Sequence, residues 1–538
     1  MKIDGRYDKI TQSMEPLSAI TPDWSSRLRM SFYALLIACF SLYVQVDWSP
    51  ELGDEGFLWY GALKTFQGQV PLRDFQSYFP GRYYFTAAFF NFLGPDLLAV
   101  RIAAWIFQVL ALILAFRISK RASDSTAHTL LLGVLIVLWM ILPCRYFDSA
   151  LAIAAVFFAV RLLENPTNGR HFQSGIFAGA TLFFGINHGW YAFVIFQALV
   201  ILNGIKTGSK SILKNELTFL GGVSTGCSPL LLMALFVPGF GTALTDYIAL
   251  TLSRSNDLPL PWSSFATWGQ VCSLFPRLYQ RILEFALRNS LNLAFLLVPV
   301  FYAGSLIFVL KNPRSRWRSD SLLTACAVVG TVYLHHVSRR MNIVYMGEAI
   351  APFLIGVWAL ALRPAAAKKA QRPFLISTLV LLTFLGPGLL SNMWYRLFLP
   401  PGALAQVQIG PHRFWALPPY KAEIDSVRRF AKENIAENET LFIAPLFPMY
   451  YCILGKTSPV HQLLFIFPEP EKNQLKMIRD MEEKKVRWAI IGDAVFDKRP
   501  LLHFSNTHSL IWRYFNEKFD PYVVEGFPQG YFLWKRRL

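Results

Sequence analysis

The sequence predicts a polytopic α-helical membrane protein of about eleven transmembrane helices with a C-terminal extracytoplasmic α/β domain. Three observations carry this. Of 538 residues, 54% are hydrophobic and 16% are charged. The hydrophobic residues gather in runs long enough to cross a hydrocarbon layer, which takes roughly 17–25 residues. The basic residues collect in alternate loops between those runs.

In chain order the expected spans are residues 30–46, 97–116, 127–142, 149–163, 172–186, 189–202, 217–237, 291–310, 321–334, 343–362 and 374–390. Residues 83–93 are apolar but too short to cross upright, which predicts an interfacial or re-entrant segment. The first run lacks a small-residue cleavage site and is expected to stay as a span. The six cysteines are scattered and form no CxxC, so neither a disulfide framework nor a zinc site is expected.

A net charge of +18 invites a nucleic-acid reading, but the placement of the charges argues against it. Arg27 and Arg29 precede the first span, Arg117, Lys120 and Arg121 follow the second, and Lys311, Arg314, Arg316 and Arg318 follow the eighth. With eleven spans these loops share one side, which the positive-inside pattern makes cytoplasmic together with the N-terminus. The loop 47–96, the loop 238–290 and everything after residue 390 then face outward. Residues 1–390 read as the membrane domain and 391–538 as the extracytoplasmic domain.

In that second part, residues 392–420 read as irregular, with paired prolines at 400–401 and 418–419. Ile424, Val427, Phe430 and Ile435 recur at helical spacing, and residues 469–485 read as a charged helix. Residues 441–444, 488–491 and 531–534 read as strands.

The first outer loop carries the chemistry. Gly53-Asp54-Glu55-Gly56 puts two adjacent carboxylates at the mouth of the first span, a costly arrangement unless they have partners or a task. Phe57, Tyr60, Leu63 and Phe66 lie three apart and give one apolar helical face that ends at Gly68. This predicts a short helix lying in the membrane interface, with Asp54 and Glu55 at headgroup level.

The run Asp54-Glu55-Gly56, Tyr60-Gly61-Ala62, Gly68, Pro71-Leu72-Arg73-Asp74-Phe75, Pro80-Gly81, Tyr83-Tyr84, Phe92-Leu93-Gly94 and Arg101 resembles the membrane glycosyltransferases of the GT-C class. It is most similar to the bacterial dolichyl-phosphate-mannose–protein mannosyltransferase-like family, including its lipopolysaccharide-core-transferase branch. The likeness is strongest over 52–101 and returns after Tyr420, at 427–430 and 444–456. It implies a GT-C fold in the bacterial inner membrane and inverting transfer of a sugar from a polyprenyl-phosphate donor to a lipid, glycan or protein acceptor at the outer face. Asp54 matches the acidic residue after the first span that serves as catalytic base or orients the acceptor, with Glu55 beside it. Some GT-C enzymes use a divalent cation and others none, and no complete ligand set is visible here.

Physical reasoning points the same way. A sugar hydroxyl needs a carboxylate within hydrogen-bond reach. A polyprenyl phosphate leaving group needs fixed positive charge, and arginine binds phosphate through two donors. Arg73, Arg82, Arg101, Arg339 and Arg340 border the outer loops and are the phosphate-binding candidates. Asp74, Tyr60 and Tyr345 are the substrate-binding candidates. Competing readings are a simple Arg73–Asp74 pair, a snorkelling anchor for Arg101, a solvated loop charge for Arg254, and hydrogen-bonded structural histidines at His188, His335 and His336. Relatives often carry Arg-x-Asp-x-x-His before a late span, where this chain has Arg340-Met341-Asn342-Ile343-Val344-Tyr345. The arginine stays, while Asn342 and Tyr345 replace the acid and the histidine.

Two other classes compete. A transporter or flippase of lipid-linked sugars would place ionisable residues at mid-depth and show paired repeats, and neither is evident. An inactive GT-C scaffold would have no use for Asp54 and the outer arginines.

Overall fold

The computed structural model describes residues 24–122, 125–207, 209–253, 260, 265–274, 277–311, 320–361, 393–493 and 495–537. Long apolar helices dominate the first two thirds. They are α1 (Trp24–Gln45), α2 (Asp54–Phe66), α3 (Gly81–Leu93), α4 (Leu97–Ser119), α5 (Thr126–Trp139), α6 (Tyr146–Glu164), α7 (Asn168–Phe184), α8 (Ile186–Thr207), α9 (Ser209–Gly226), α10 (Ser228–Phe236), α11 (Phe240–Ser253), α12 (Trp268–Leu274), α13 (Leu278–Lys311), α14 (Ser321–Arg339) and α15 (Ile343–Ala361). Among the described residues seven helices are long and apolar enough to cross a membrane, or eight if the bent pair α9–α10 is one span. The chain is an integral membrane protein. Of the remaining expected spans, α5 and α7 have 14 and 17 residues, and residues 374–390 lie outside the described ones. The 54° bend between α9 and α10 falls at Ser228-Pro229, where the proline ring interrupts the hydrogen-bond ladder.

Local sequence sets the helix ends. Asp96 caps α4 by accepting from the Ala99 amide, and Ser125 and Thr167 cap α5 and α7 in the same way. The packing of α7 on α9 rests on four glycines, Gly175 and Gly179 facing Gly222 and Gly226. A Cβ at Gly175 would stand 2.1 Å from the Phe219 carbonyl oxygen, and one at Gly226 would stand 2.2 Å from that of Ile176. Two Gly-x-x-x-Gly stripes therefore bring the backbones into contact, which drives helix association where lipid supplies no hydrophobic force.

The C-terminal region packs on one end of this bundle. It opens with a hairpin, β1 (Ala405–Ile409) and β2 (His412–Ala416), in the stretch the sequence marked as irregular. Val407, Ile409, Phe414 and Ala416 are buried and alternate with more exposed neighbours, a period-two signal obscured by the flanking prolines. The expected strands β3 (Leu441–Ala444), β4 (Trp488–Gly492) and β6 (Tyr531–Arg536) form a sheet with β5 (Phe519–Pro521) in the order β3-β4-β6-β5. β3 pairs parallel to β4, and the other pairings are antiparallel. Helices α16 (Pro418–Asn434), α17 (Met449–Ile453), α18 (Glu471–Glu483) and α19 (Ser509–Lys518) complete the region.

This docking corrects the expectation for α2. The sequence laid α2 on the membrane surface with one apolar face, yet the structure buries Gly56 through Ala62. The physical reason is that α17 covers the second face. A Cβ at Gly56 would lie 2.6 Å from the Met449 backbone nitrogen. The Tyr60 hydroxyl accepts a hydrogen bond from the Ser458 amide at 3.0 Å. The loop after α2 is held likewise, with Gln76 Oε1 accepting from the Leu463 and Leu464 amides at 2.7 and 2.8 Å.

Replacing Gly179 by valine should force α7 and α9 apart and destabilise the protein by about 1–3 kcal/mol. Gly169→Ala, where a Cβ meets open space, should leave stability unchanged. Thermal unfolding in detergent, read by size-exclusion chromatography, checks both.

Candidate functional site

The two adjacent carboxylates have opposite surroundings. Glu55 is held by Arg101, whose Nε and Nη2 donate to the two carboxylate oxygens at 2.7 Å each. Both side chains are 1% exposed. Arg101 Nη1 also donates to the carbonyls of Gln45, Val46 and Trp48 at the end of α1. The guanidinium thus closes the C-terminus of one helix and fixes the first turn of another. Asp54, one residue earlier, is 32% exposed. The start of α2 is further held by Glu51, whose carboxylate accepts from the Gly53 and Glu55 amides at 2.8 Å each. Burial first, and then the neighbouring charge of Asp54, push the Glu51 carboxyl up to about 7.

Asp54 faces Arg145. The Arg145 Nη2 donates to Asp54 Oδ2 at 2.9 Å, while Nη1 lies 3.5 Å from Asp148 and 4.0 Å from Glu348. One guanidinium therefore stands among three carboxylates from α2, α6 and α15. Arg145 closes a 3-10 turn, Pro143–Arg145, that follows Leu142 in a left-handed conformation (φ 62°). That turn redirects the chain between α5 and α6 and brings Arg145 to the site. Asp148 accepts from His188 Nε2 at 2.9 Å and lies 3.4 Å from Arg82 Nη2. His188 Nδ1 meets the Tyr333 hydroxyl at 3.2 Å, and Glu348 Oε2 pairs with His336 Nδ1 at 2.8 Å. Among the described residues, Asp148 Oδ2 and Glu348 Oε1 are buried with no hydrogen-bond partner, both on the side of Arg145. The groups lie where α2, α6, α8 and α15 begin and α14 ends, at the end of the bundle that carries the C-terminal region.

Of the phosphate candidates, Arg82 lies in the wall of this cluster, donating to the Phe184 carbonyl at 3.1 Å with its guanidinium over the Tyr78 ring. Arg340 follows α14 and makes a bidentate pair with Asp497 of the C-terminal region at 2.8 and 3.0 Å. Arg339, the last residue of α14, is exposed. Tyr345 borders the cluster, with the Arg145 guanidinium 5.8 Å from its ring centre. The structure does not bring Arg73, Asp74 or Tyr60 to it. Arg73 and Asp74 pair with each other at 2.8 Å, and Asp74 also accepts from the Val70 amide. The hydrogen bond from Arg73 holds the Asp74 carboxyl below the usual range. Arg101 is enclosed with Glu55 rather than exposed to lipid or to the cluster. Arg254 lies outside the described residues.

Sequence reasoning missed Arg145, Asp148 and Glu348. Arg145 and Asp148 sit in the short gap between two expected spans, where an Arg-x-x-Asp pair is the signal. Glu348 sits inside an apolar run, which by itself marks a functional residue. Their convergence with Asp54 is a product of tertiary packing. Among the described residues no group of three or more His, Cys, Asp or Glu is arranged to hold a metal ion. The three carboxylates converge instead on the Arg145 guanidinium.

No family model matches the sequence, and no curated protein matches it. Two solved structures align along nearly the whole chain. ArnT from Cupriavidus metallidurans, bound to undecaprenyl phosphate, aligns over 94% of this chain and 97% of its own, with 10% identity and a TM-score of 0.52. The archaeal oligosaccharyltransferase AglB from Archaeoglobus fulgidus, in complex with an inhibitory peptide and a dolichol-phosphate, aligns over 96% of this chain and 75% of its own, with 9% identity and a TM-score of 0.48. These likenesses show a shared fold, a polytopic helical membrane protein with a C-terminal α/β region. The particular likeness that shows it is to ArnT, matched almost end to end.

Arg101→Ala leaves the Glu55 charge buried and unpaired, and should cost about 3–5 kcal/mol of stability. Asp54→Asn, at a partly exposed position, should cost under about 1 kcal/mol. Denaturation in detergent separates the two. Glu51 gives a pH dependence. Its folded pKa lies above the ordinary carboxyl value, so the folded state binds the proton more tightly. The stabilisation is full below the unfolded value of 4.5 and is lost as pH rises through about 7. The wild type should lose more thermal stability than Glu51→Gln between pH about 5.5 and about 8.

Proposed function

We propose that the chain is an inverting glycosyltransferase that moves a sugar from a polyprenyl-phosphate-linked donor to an acceptor at the outer membrane face, with Asp54 as general base. The observation that carries this reading is the Asp54–Arg145 pair, a partly exposed carboxylate 2.9 Å from a guanidinium at the mouth of the bundle. Arg145 engages Oδ2 and orients the carboxylate, leaving Oδ1 to take a proton. The acceptor hydroxyl attacks the anomeric carbon, the bond from that carbon to the phosphate oxygen breaks, and the proton passes to Asp54. The electron pair leaves with the polyprenyl phosphate as an anion. Arg145, Arg82 and Arg340 are the fixed cations available to that anion, and preorganised charge of this kind acts most strongly where water is excluded. The fold shared with ArnT supports the assignment, since that protein was solved with undecaprenyl phosphate. In this reading the C-terminal region and the mouth face outward, which the distribution of basic loops supports.

Asp54→Asn should lower transfer by about 10²–10⁴-fold while binding of the lipid phosphate survives. Purified protein in detergent, offered a panel of polyprenyl-phosphate sugars, gives the measurement. Full activity in the variant would remove Asp54 as the base. A wild type that neither binds nor turns over any donor would leave a non-catalytic scaffold as the better account.

A further inference from the structure

The contact between Arg340 and Asp497 ties the end of α14 to the C-terminal region. It is bidentate, at 2.8 and 3.0 Å, and its side chains are only 15% and 13% exposed. The position of Arg340 is fixed independently of its partner. The Leu260 amide donates to the Arg339 carbonyl and the Met341 amide donates to the Leu260 carbonyl, each at 3.1 Å, which clamps the backbone on both sides of Arg340. Asp497 is held differently. It and Lys498 have φ of 53° and 55°, a left-handed conformation that non-glycine residues rarely adopt. Two such residues in succession persist only where outside contacts hold them. The guanidinium holds the turn from outside, with Phe496 stacked against it at 5.4 Å from the Arg340 carbon, beside the turn's own hydrogen bonds from the Lys498 and Arg499 amides to the Val495 and Phe496 carbonyls. The cation is thus anchored, and the anion is presented by a loop under strain.

Arg340 also borders the candidate site. Tyr345, whose ring centre is 5.8 Å from the Arg145 guanidinium, stands in the first turn of α15, which begins three residues after Arg340. A carboxylate and a phosphate offer the same pair of acceptor oxygens to a guanidinium fork. We propose that Asp497 competes with the lipid-linked phosphate for Arg340, so that entry of the phosphate releases the 495–499 loop from the membrane helices. This rests on the sugar-transfer reading above and adds to it a residue that sets donor affinity from the C-terminal region. By linkage the effect is reciprocal. Whatever holds the loop against Arg340 weakens donor binding, and donor binding frees the loop.

The test is binding of undecaprenyl phosphate to the purified full chain in detergent, for the wild type, Asp497→Asn, Arg340→Gln and the double variant. Asp497→Asn should bind about fivefold to tenfold more tightly than the wild type. Arg340→Gln should bind more weakly, and in its presence the Asp497 change should have no further effect. Asp497→Glu, which keeps the charge, should stay near the wild type and controls for disruption of the loop. Binding by Asp497→Asn that is unchanged or weaker would overturn the competition and leave the pair as a structural tie. Wild-type affinity in Arg340→Gln would overturn it as well while sparing the sugar-transfer reading. A wild type that binds no lipid phosphate would defeat both.

Discussion

Arg145 is the residue on which the site is organised. Three carboxylates from three helices, Asp54, Asp148 and Glu348, converge on its guanidinium. In a medium of low dielectric, like charges brought this close repel strongly, and a buried carboxylate without a counter-charge is costly. Arg145 offsets that repulsion, and Arg82 does the same for Asp148 from the other side, where His188 Nε2 also hydrogen-bonds it. The starts of α2, α6 and α15 are held together by this charge balance. The same balance leaves Asp54 partly exposed and oriented while its neighbours are enclosed. An acid poised at the mouth and a fixed positive charge beside it are one arrangement, and removing the cation would disturb the acid.

The second constraint is how α2 is gripped. On one side Arg101 locks Glu55 and closes the end of α1. On the other, α17 packs so closely that only glycine fits at position 56. Glu51 ties the first turn through two backbone amides. The Gly53-Asp54-Glu55-Gly56 motif therefore divides its labour. Glu55 and Gly56 position the turn, and Asp54 is what the turn presents. The C-terminal region is part of this construction, because His412 reaches the Asp96 cap of α4, Ser458 reaches Tyr60 and Asp497 reaches Arg340.

Much of the molecule was legible from residue pattern. Apolar runs marked the long helices, because a span must be apolar throughout and satisfy its own backbone. Short apolar runs marked β3, β4 and β6, helical spacing marked α16, and a charged run marked α18. The fold expected from the motif in the first loop agrees with the fold shared with ArnT. Two expectations failed, each for its own physical reason. α2 has an apolar face that reads as a membrane-surface helix, and nothing local shows that a segment some four hundred residues later covers its opposite side. The β1–β2 hairpin was hidden because flanking prolines suggested irregular chain.

The sequence by itself determined that this is a membrane protein with two adjacent acids at the mouth of its first span, because hydropathy and charge are local properties of the chain. Only the tertiary structure decided which acid is enclosed and which is partly exposed. Asp54 and Glu55 are neighbours of the same chemical type, and their difference lies in which arginine reaches each. Arg101 comes from α4 and Arg145 from the turn before α6. Side-chain partnership across the bundle is fixed by helix packing and by one left-handed turn at Leu142, and neither is written in the four residues of the motif.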